Sequence, residues 1–359
     1  MALVLYTENP LLLWQNYYKI KDMAKTRVAI NGFGRIGRIF LRQSFDNNDL
    51  EVVAINDLGE LNNLAYLLKY DSVYGKLDKV VEAKGGKLEV YGKEISFIQE
   101  SNPSKLPWKE MEIDVVVEST GVFTTYEKAK GHIDAGAKRV IITAPAKDET
   151  TPIITPNVGL KTLGEGSITS NASCTTNAVN PVATIMSQNP GIEKAVLNTI
   201  HGYTSSQEIV DGLNNKDFRR GRAGAVNIIP TSTGAAIATT RSLPHLKDKF
   251  DGIAIRVPVI SGSLIDFTFI SSKETSVEEI NSEFIKASQS QEWQGILTVT
   301  DEPIVSSDIL GNSHGSVVDL SMTKVIDGNL VKILSWYDNE WGYCSMLMKH
   351  IEELNKFVN

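Results

Sequence analysis

The chain has 359 residues, of which 42% are hydrophobic and 22% charged, and its formal net charge is −7. That length suits two domains of ordinary size in a globular protein. The acidic balance argues against general affinity for nucleic acid, and no apolar run reaches the length that spans a bilayer. Two cysteines, Cys174 and Cys344, are too few for a disulfide-stapled secreted domain and leave no metal-ligand cluster, which points to a reducing cytoplasm.

Residues 1 to 22 contain the apolar Leu11-Leu12-Leu13-Trp14, but Glu8 and Pro10 interrupt the segment and no basic region precedes it. It reads as an extension outside the fold, not as a signal peptide. Arg27 to Asn31 is a β-branched strand, and Arg35 to Phe45 has apolar residues at helical spacing. Between them lies Gly32-Phe33-Gly34-Arg35-Ile36-Gly37. A G-x-G-x-x-G between a strand and a helix is a dinucleotide fingerprint: Gly32 for the turn, Gly34 for approach of backbone to pyrophosphate, Gly37 for helix packing. Glu51 to Asn56 is a second strand, and Asp57 at its end is placed to accept ribose hydroxyls and repel a 2′-phosphate, which favours NAD. Asp114 to Glu118, a helix over Thr125 to Ala135 and a strand over Lys138 to Thr143 continue the alternation, so the sheet is parallel with both faces covered.

Next comes Ser170-Asn171-Ala172-Ser173-Cys174-Thr175-Thr176-Asn177. Strand character before it and helix-compatible residues from Ala178 to Ser187 put Cys174 where a helix begins, and there N–H groups and the dipole favour a thiolate. His201, 27 positions later, is the candidate base. Each alone has a plainer explanation, a small buried hydrophobe for the cysteine and a core imidazole for the histidine. The polar neighbours on both sides of Cys174 speak against the first. Tyr203 to Asn227 lacks periodicity and reads as a long ordered loop. Alternating runs over Gly252 to Val257 and Ser263 to Ile270 predict antiparallel strands, with a helix from Ser276 to Ser288. A last helix over Glu340 to Phe357 is positioned to return to the first domain.

Together these motifs resemble phosphorylating glyceraldehyde-3-phosphate dehydrogenase. The resemblance runs from Met23 almost to the C-terminus, through the glycine turn, Tyr70-Asp71-Ser72-Val73, Glu118-Ser119-Thr120-Gly121, the cysteine octapeptide, Ser232-Thr233-Gly234-Ala235-Ala236, Arg256-Val257-Pro258 and Ser335 to Tyr343. It implies an α/β chain with a Rossmann-like parallel-sheet NAD-binding domain over 23–173, completed by a C-terminal helix over 338–359. An α+β catalytic domain with a mainly antiparallel sheet would occupy 174–337. It also implies a thioester on Cys174 formed from the substrate aldehyde, with a hydride passed to the nicotinamide and His201 moving protons. Thr204 and Arg256 would bind the substrate phosphate, Ser173, Thr175, Thr233 and Gly234 the attacking inorganic phosphate, and Arg222 would contribute. Arg35 and Ile36 would offer backbone to the pyrophosphate, Ser119 and Thr120 would line the cofactor site, and Asn339 would hold the carboxamide. A homotetramer is implied as well.

The chain departs from the family pattern at Glu100-Ser101-Asn102-Pro103, where an arginine that helps hold a 2′-phosphate is missing, and at Asp211-Gly212-Leu213, where relatives carry proline. Ser205-Ser206 and Ala178 also differ without removing a chemical group. The rival enzyme, erythrose-4-phosphate dehydrogenase, typically departs at segments that stand here as Thr233-Gly234-Ala235 and Tyr203-Thr204. A silent NAD-binding redox sensor would not need His201, Arg256, Thr233 or Asn339. Cys344 reads as structural.

Overall fold

The structure is a computed structural model and describes residues 25–164 and 166–356. The expected extension over residues 1 to 22 lies outside the described residues.

The strand–glycine–helix unit forms as β1 (Thr26–Asn31) and α1 (Arg35–Ser44), followed by β2 (Leu50–Asn56) and α2 (Leu61–Lys69). Five short strands come next: β3 (Tyr70–Asp71), β4 (Gly75–Lys76), β5 (Val81–Lys84), β6 (Lys87–Val90) and β7 (Lys93–Ile98). The sequence pattern does not predict them, because strands of two to six residues carry little periodicity. Then β8 (Val115–Glu118), α3 (Tyr126–Asp134), β9 (Arg139–Ile142) and β10 (Ile168–Ser170) complete the first sheet. Its order is β10-β9-β8-β1-β2-β7-β6-β5. Strands pair in parallel from β10 through β7, while β7 with β6 and β6 with β5 are antiparallel. The sheet is thus mainly parallel with an antiparallel edge, a common finish for a doubly wound sheet.

From α4 (Cys174–Gln188) the chain builds a second sheet from β11 (Ile192–Gly202), β12 (Ile229–Ser232), β13 (Phe250–Val257), β14 (Ser263–Ser271), β15 (Leu297–Thr300), β16 (Ser316–Ile326) and β17 (Leu330–Tyr337), with α5 (Ala235–Ser242) and α6 (Val277–Ser288). Four of its pairings are antiparallel, while β11 with β13 and β15 with β16 are parallel. Strict burial alternation along β14 shows why its sequence alternates: Leu264, Asp266 and Thr268 face one side, Ile265, Phe267 and Phe269 the core. Tyr203 to Asn227 is a loop apart from a 3-10 turn at Phe218–Gly221.

The last helix, α7 (Trp341–Asn355), returns to the first sheet. Its Leu347, Ile351 and Leu354 share a core with Val28, Ile30, Ile39 and Phe40. Cys344 is buried in that core beside the Ile36 carbonyl, and burial holds its thiol far above the ordinary value. Trp108, Ala129, Val116 and Val140 fill the opposite face of the first sheet, and a separate core lies between the second sheet and α4 to α6.

Candidate active site

The turn before Cys174 aims the thiol. Ala172 has φ +55°, a left-handed conformation that costs an L-residue about 1–2 kcal/mol, and it swings the chain from β10 into α4. Asn177 holds the bend, its Nδ2 donating to the carbonyls of Asn171 at 2.8 Å and Ser173 at 3.0 Å. Ser173 is the N-cap, accepting from Thr176 N at 3.1 Å, so Cys174 is the first helical residue.

Register places its partners. His201 sits near the end of β11 directly opposite Arg256 on β13. Cys174 Sγ lies 3.3 Å from His201 Nε2, while His201 Nδ1 lies 2.6 Å from both the Gly202 carbonyl and Arg256 Nη1. Arg256 also donates to the Gly202 carbonyl at 2.9 Å. The Gly202 carbonyl can only accept, so it takes the ring proton on Nδ1 while Arg256 stands beside that nitrogen as a repelling charge, and Nε2 is left to accept the thiol proton.

Electrostatics corrects one expectation. Burial pushes the Cys174 thiol up, against the opposing pull of Arg256 and of the Thr175 hydroxyl and N–H. Burial, then the Arg256 charge, pushes His201 down to about 3, with Arg220 adding to the effect. Both shifts run against the thiolate that the helix start suggested, with desolvation the leading cause in each. A neutral imidazole is the form that works as a base.

Thr175 Oγ1 bonds Tyr337 OH at 2.9 Å, and Tyr337 OH bonds Thr199 Oγ1 at 2.8 Å beneath the pair. The Thr175 hydroxyl thus links Tyr337 to the Cys174 thiol, on which it also acts. Thr204 lies two residues past β11, half-buried, its hydroxyl 2.9 Å from Ser206 Oγ. Thr233 and Gly234 form the entry to α5, with Ala235 N donating to Thr233 Oγ1 at 3.2 Å.

Arg222 is 63% exposed in its side chain and paired with Asp211 at 2.8 Å. The arginine of this loop whose charge reaches the site is Arg220, which lowers the pKa of both His201 and Arg256. Its Nε donates to Thr231 Oγ1 at 2.9 Å and its Nη2 to the Ser232 carbonyl at 3.2 Å. Nothing in Arg219-Arg220-Gly221-Arg222 distinguishes the inward arginine; the 3-10 turn does.

At the glycine turn, Gly32 has φ +94°, and a Cβ there would lie 2.6 Å from Thr120 N. Gly34 caps α1 with no side-chain hydrogen bond, there is no acid in the first turn, and a Cβ on Gly34 would meet open space. Uncapped N–H groups at Arg35 and Ile36 facing an open surface fit an anionic pyrophosphate. The Arg35 side chain instead bridges Asp71 at 2.5 Å and Glu340, whose Oε1 accepts from Nε at 2.8 Å. Gly37 packs against the Gly32 carbonyl. Ser119 Oγ donates to the Gly32 carbonyl at 2.7 Å. Asp57 accepts from Phe33 N at 2.6 Å and Gly59 N at 2.7 Å, so its carboxylate braces the turn that it was expected to serve by binding ribose. Asn339 Oδ1 accepts from Ser263 Oγ at 2.8 Å, Gly262 N at 3.0 Å and Ser261 Oγ at 3.3 Å, which turns Nδ2 outward as a donor for a carbonyl such as a carboxamide's.

The family described as glyceraldehyde 3-phosphate dehydrogenase, NAD binding domain, matches residues 26–126, and the one described as its C-terminal domain matches residues 173–339. The chain belongs to the glyceraldehyde-3-phosphate dehydrogenase family. It is 48% identical to glyceraldehyde-3-phosphate dehydrogenase 2 of Streptomyces avermitilis, over 90% of this chain and 96% of that one. It is 48% identical to the Borreliella burgdorferi enzyme over 92% and 100%, and 49% identical to that of Geobacillus stearothermophilus over 88% and 94%. As a member it is an oxidoreductase, and its cofactor is NAD, which the donors of the glycine turn and Asn339 suit.

Proposed function

We propose that the chain oxidises glyceraldehyde 3-phosphate to an acyl phosphate through a thioester on Cys174, with inorganic phosphate as the acyl acceptor. The single observation that carries this is the Cys174 Sγ to His201 Nε2 approach of 3.3 Å beside the Arg256 guanidinium. His201 Nε2 takes the thiol proton as sulfur bonds to the aldehyde carbon, and N–H groups at the start of α4 face the oxygen that gains charge. His201 gives that proton to the hemithioacetal oxygen and takes it back as the hydride leaves the carbon and the thioester forms. Bound NAD supplies the hydride acceptor. Asn339 orients its carboxamide, and α1 binds its pyrophosphate. Phosphate oxygen attacks the thioester carbon, the carbon–sulfur bond breaks, and the thiolate recovers the proton from His201.

Arg256 and Thr204 are assigned to the substrate phosphate; Arg220, Ser173, Thr175, Thr233 and Gly234 to the attacking one. Asp57 is assigned to the ribose hydroxyls, using lone pairs left after its two backbone bonds. A homotetramer is supported by the loop from Tyr203 to Asn227, where Ile209, Leu213 and Phe218 are each more than 85% exposed. Among the described residues no helix is long and apolar enough to cross a membrane, and the cytoplasm is the proposed compartment. Reduction of NAD by glyceraldehyde 3-phosphate, run beside erythrose 4-phosphate and beside NADP, tests the assignment; preference for the four-carbon sugar would overturn it. Light scattering on purified protein tests the tetramer, and a monomer at working concentration would overturn that part.

A further inference from the structure

Behind the glycine turn lies a buried polar chain that no step of the proposed reaction uses. Trp108 Nε1 donates to His132 Nδ1 at 3.0 Å, and His132 Nε2 lies 3.1 Å from Glu118 Oε2. Asn31 Nδ2 donates to that same oxygen at 2.5 Å, and Asn56 Nδ2 donates to Asn31 Oδ1 at 2.6 Å. Asn56 Oδ1 accepts from Glu100 N at 2.9 Å. All five side chains, from Trp108 to Asn56, are at most 4% exposed.

Both ends of this chain are fixed by groups that can only donate. The indole N–H makes His132 Nδ1 the acceptor, so the ring proton is on Nε2 and points at Glu118. At the other end, the Glu100 N–H sets the Asn56 amide, which in turn sets Asn31, whose N–H also points at Glu118. Asn31 Nδ2 and His132 Nε2 lie 3.3 Å apart, both aimed at one carboxylate oxygen. The other oxygen, Oε1, accepts from Thr120 N at 3.0 Å and from the Thr120 hydroxyl. Glu118 therefore receives four donors and has no place for a donor of its own.

What these groups hold is the rim of the cofactor crevice. Asn31 ends β1 immediately before Gly32, Asn56 ends β2 immediately before Asp57, and Glu118 ends β8 immediately before Ser119. Thr120, tethered to Glu118, is the backbone against which Gly32 packs. His132 brings in α3 from the side. A crevice at the carboxyl ends of adjacent parallel strands is where such folds bind ligands, and its shape depends on how those ends are held.

We propose that Glu118 and His132 form a positioning pair that sets the affinity of the crevice for its dinucleotide without touching it. This rests on the crevice being the NAD site. Glu118→Gln introduces an amide N–H2 that must face either Asn31 and His132 or the Thr120 N–H, a buried donor-to-donor clash in each orientation. The dissociation constant for NAD, measured by calorimetry, should rise roughly tenfold or more, while kcat at saturating NAD stays within about twofold and KM for the aldehyde is unmoved. His132→Leu should weaken NAD in the same way. His132→Gln, whose amide can still accept from Trp108 and donate to Glu118, should recover most of the affinity. In the wild-type chain without cofactor, nitrogen-15 spectra should place the His132 proton on Nε2.

Unchanged NAD affinity in Glu118→Gln and His132→Leu would overturn the proposal, as would a proton on Nδ1 or a fall in kcat at unchanged affinity. Should Glu118→Gln fail to fold, the contrast between His132→Leu and His132→Gln decides, equal affinities counting against the pair. Failure of the wild-type chain to bind NAD would instead sink the crevice assignment, and this proposal with it.

Discussion

His201 Nδ1 lies 2.6 Å from Nη1 of Arg256, its direct cross-strand neighbour. Burial already disfavours a second proton on the imidazole and a cation at that distance adds to the penalty, so the base stays neutral far below its ordinary titration range. Arg256→Leu removes the second of these causes and should raise the His201 pKa above about 3, with burial still holding it below 6.5. The acid limb of Cys174 alkylation by neutral iodoacetamide should then move to higher pH. An acid limb in the same place in both proteins would contradict this electrostatic account.

Buried neutral histidines also make stability depend on pH. His201 and His350 are both pushed down to about 3, mainly by burial. The unfolded chain binds these protons below about pH 6.5 and the folded chain does not, so stability present above that pH is lost as pH falls toward 3. Each histidine contributes a slope of about 1.4 kcal/mol per pH unit inside that window. His350 is bonded to Thr169 Oγ1 and Asn171 Oδ1 at 3.1 Å each and to neither member of the catalytic pair. Urea midpoints between pH 6 and 4 should fall less steeply in His350→Gln than in wild type, and parallel curves would refute the contribution.

The glycine turn predicts a separation of binding from folding. Gly34→Ala places its methyl in open space, so the melting temperature should hardly change while NAD binding weakens at least about tenfold by blocking backbone approach. Gly32→Ala meets Thr120 backbone and a φ of +94°, and should lower stability by about 2 kcal/mol or more. Thermal melts and NAD titrations of the two variants check both parts. Similar behaviour of the pair would contradict the assignment of their roles.

The loop arginines separate in the same manner. Arg222→Ala breaks only an exposed pair with Asp211, an interaction worth at most about 1 kcal/mol, and activity should stay within about twofold. Arg220→Ala removes a cation that acts on both His201 and Arg256 and should raise the KM for phosphate by about tenfold or more. Steady-state kinetics with phosphate varied decides between them.

Much of this site was legible before the fold. The strand, glycine triplet and helix carry a local geometry that only a few residues can satisfy, and Cys174 at a helix start follows from strand character before it and helix-compatible residues after it. His201 facing Arg256 was not legible, since it depends on the parallel register of β11 with β13, which pairs residues 55 positions apart. The choice of Arg220 over Arg222 hangs on one 3-10 turn. Asp57 was read for its charge, whereas its backbone partners come from a turn that closes only in three dimensions. The resting protonation of Cys174 needed burial, which no local pattern reports.

The central claim is that Cys174 carries an acyl group which phosphate must remove. Reduction of NAD should be followed with glyceraldehyde 3-phosphate in the absence and presence of inorganic phosphate, with intact-protein mass spectrometry on the phosphate-free sample. The account predicts a burst limited to one reduced nicotinamide per site and an acyl adduct on Cys174 without phosphate, then continuous turnover on its addition. Equal steady turnover without phosphate, or a Cys174→Ser variant that keeps normal activity, would contradict it.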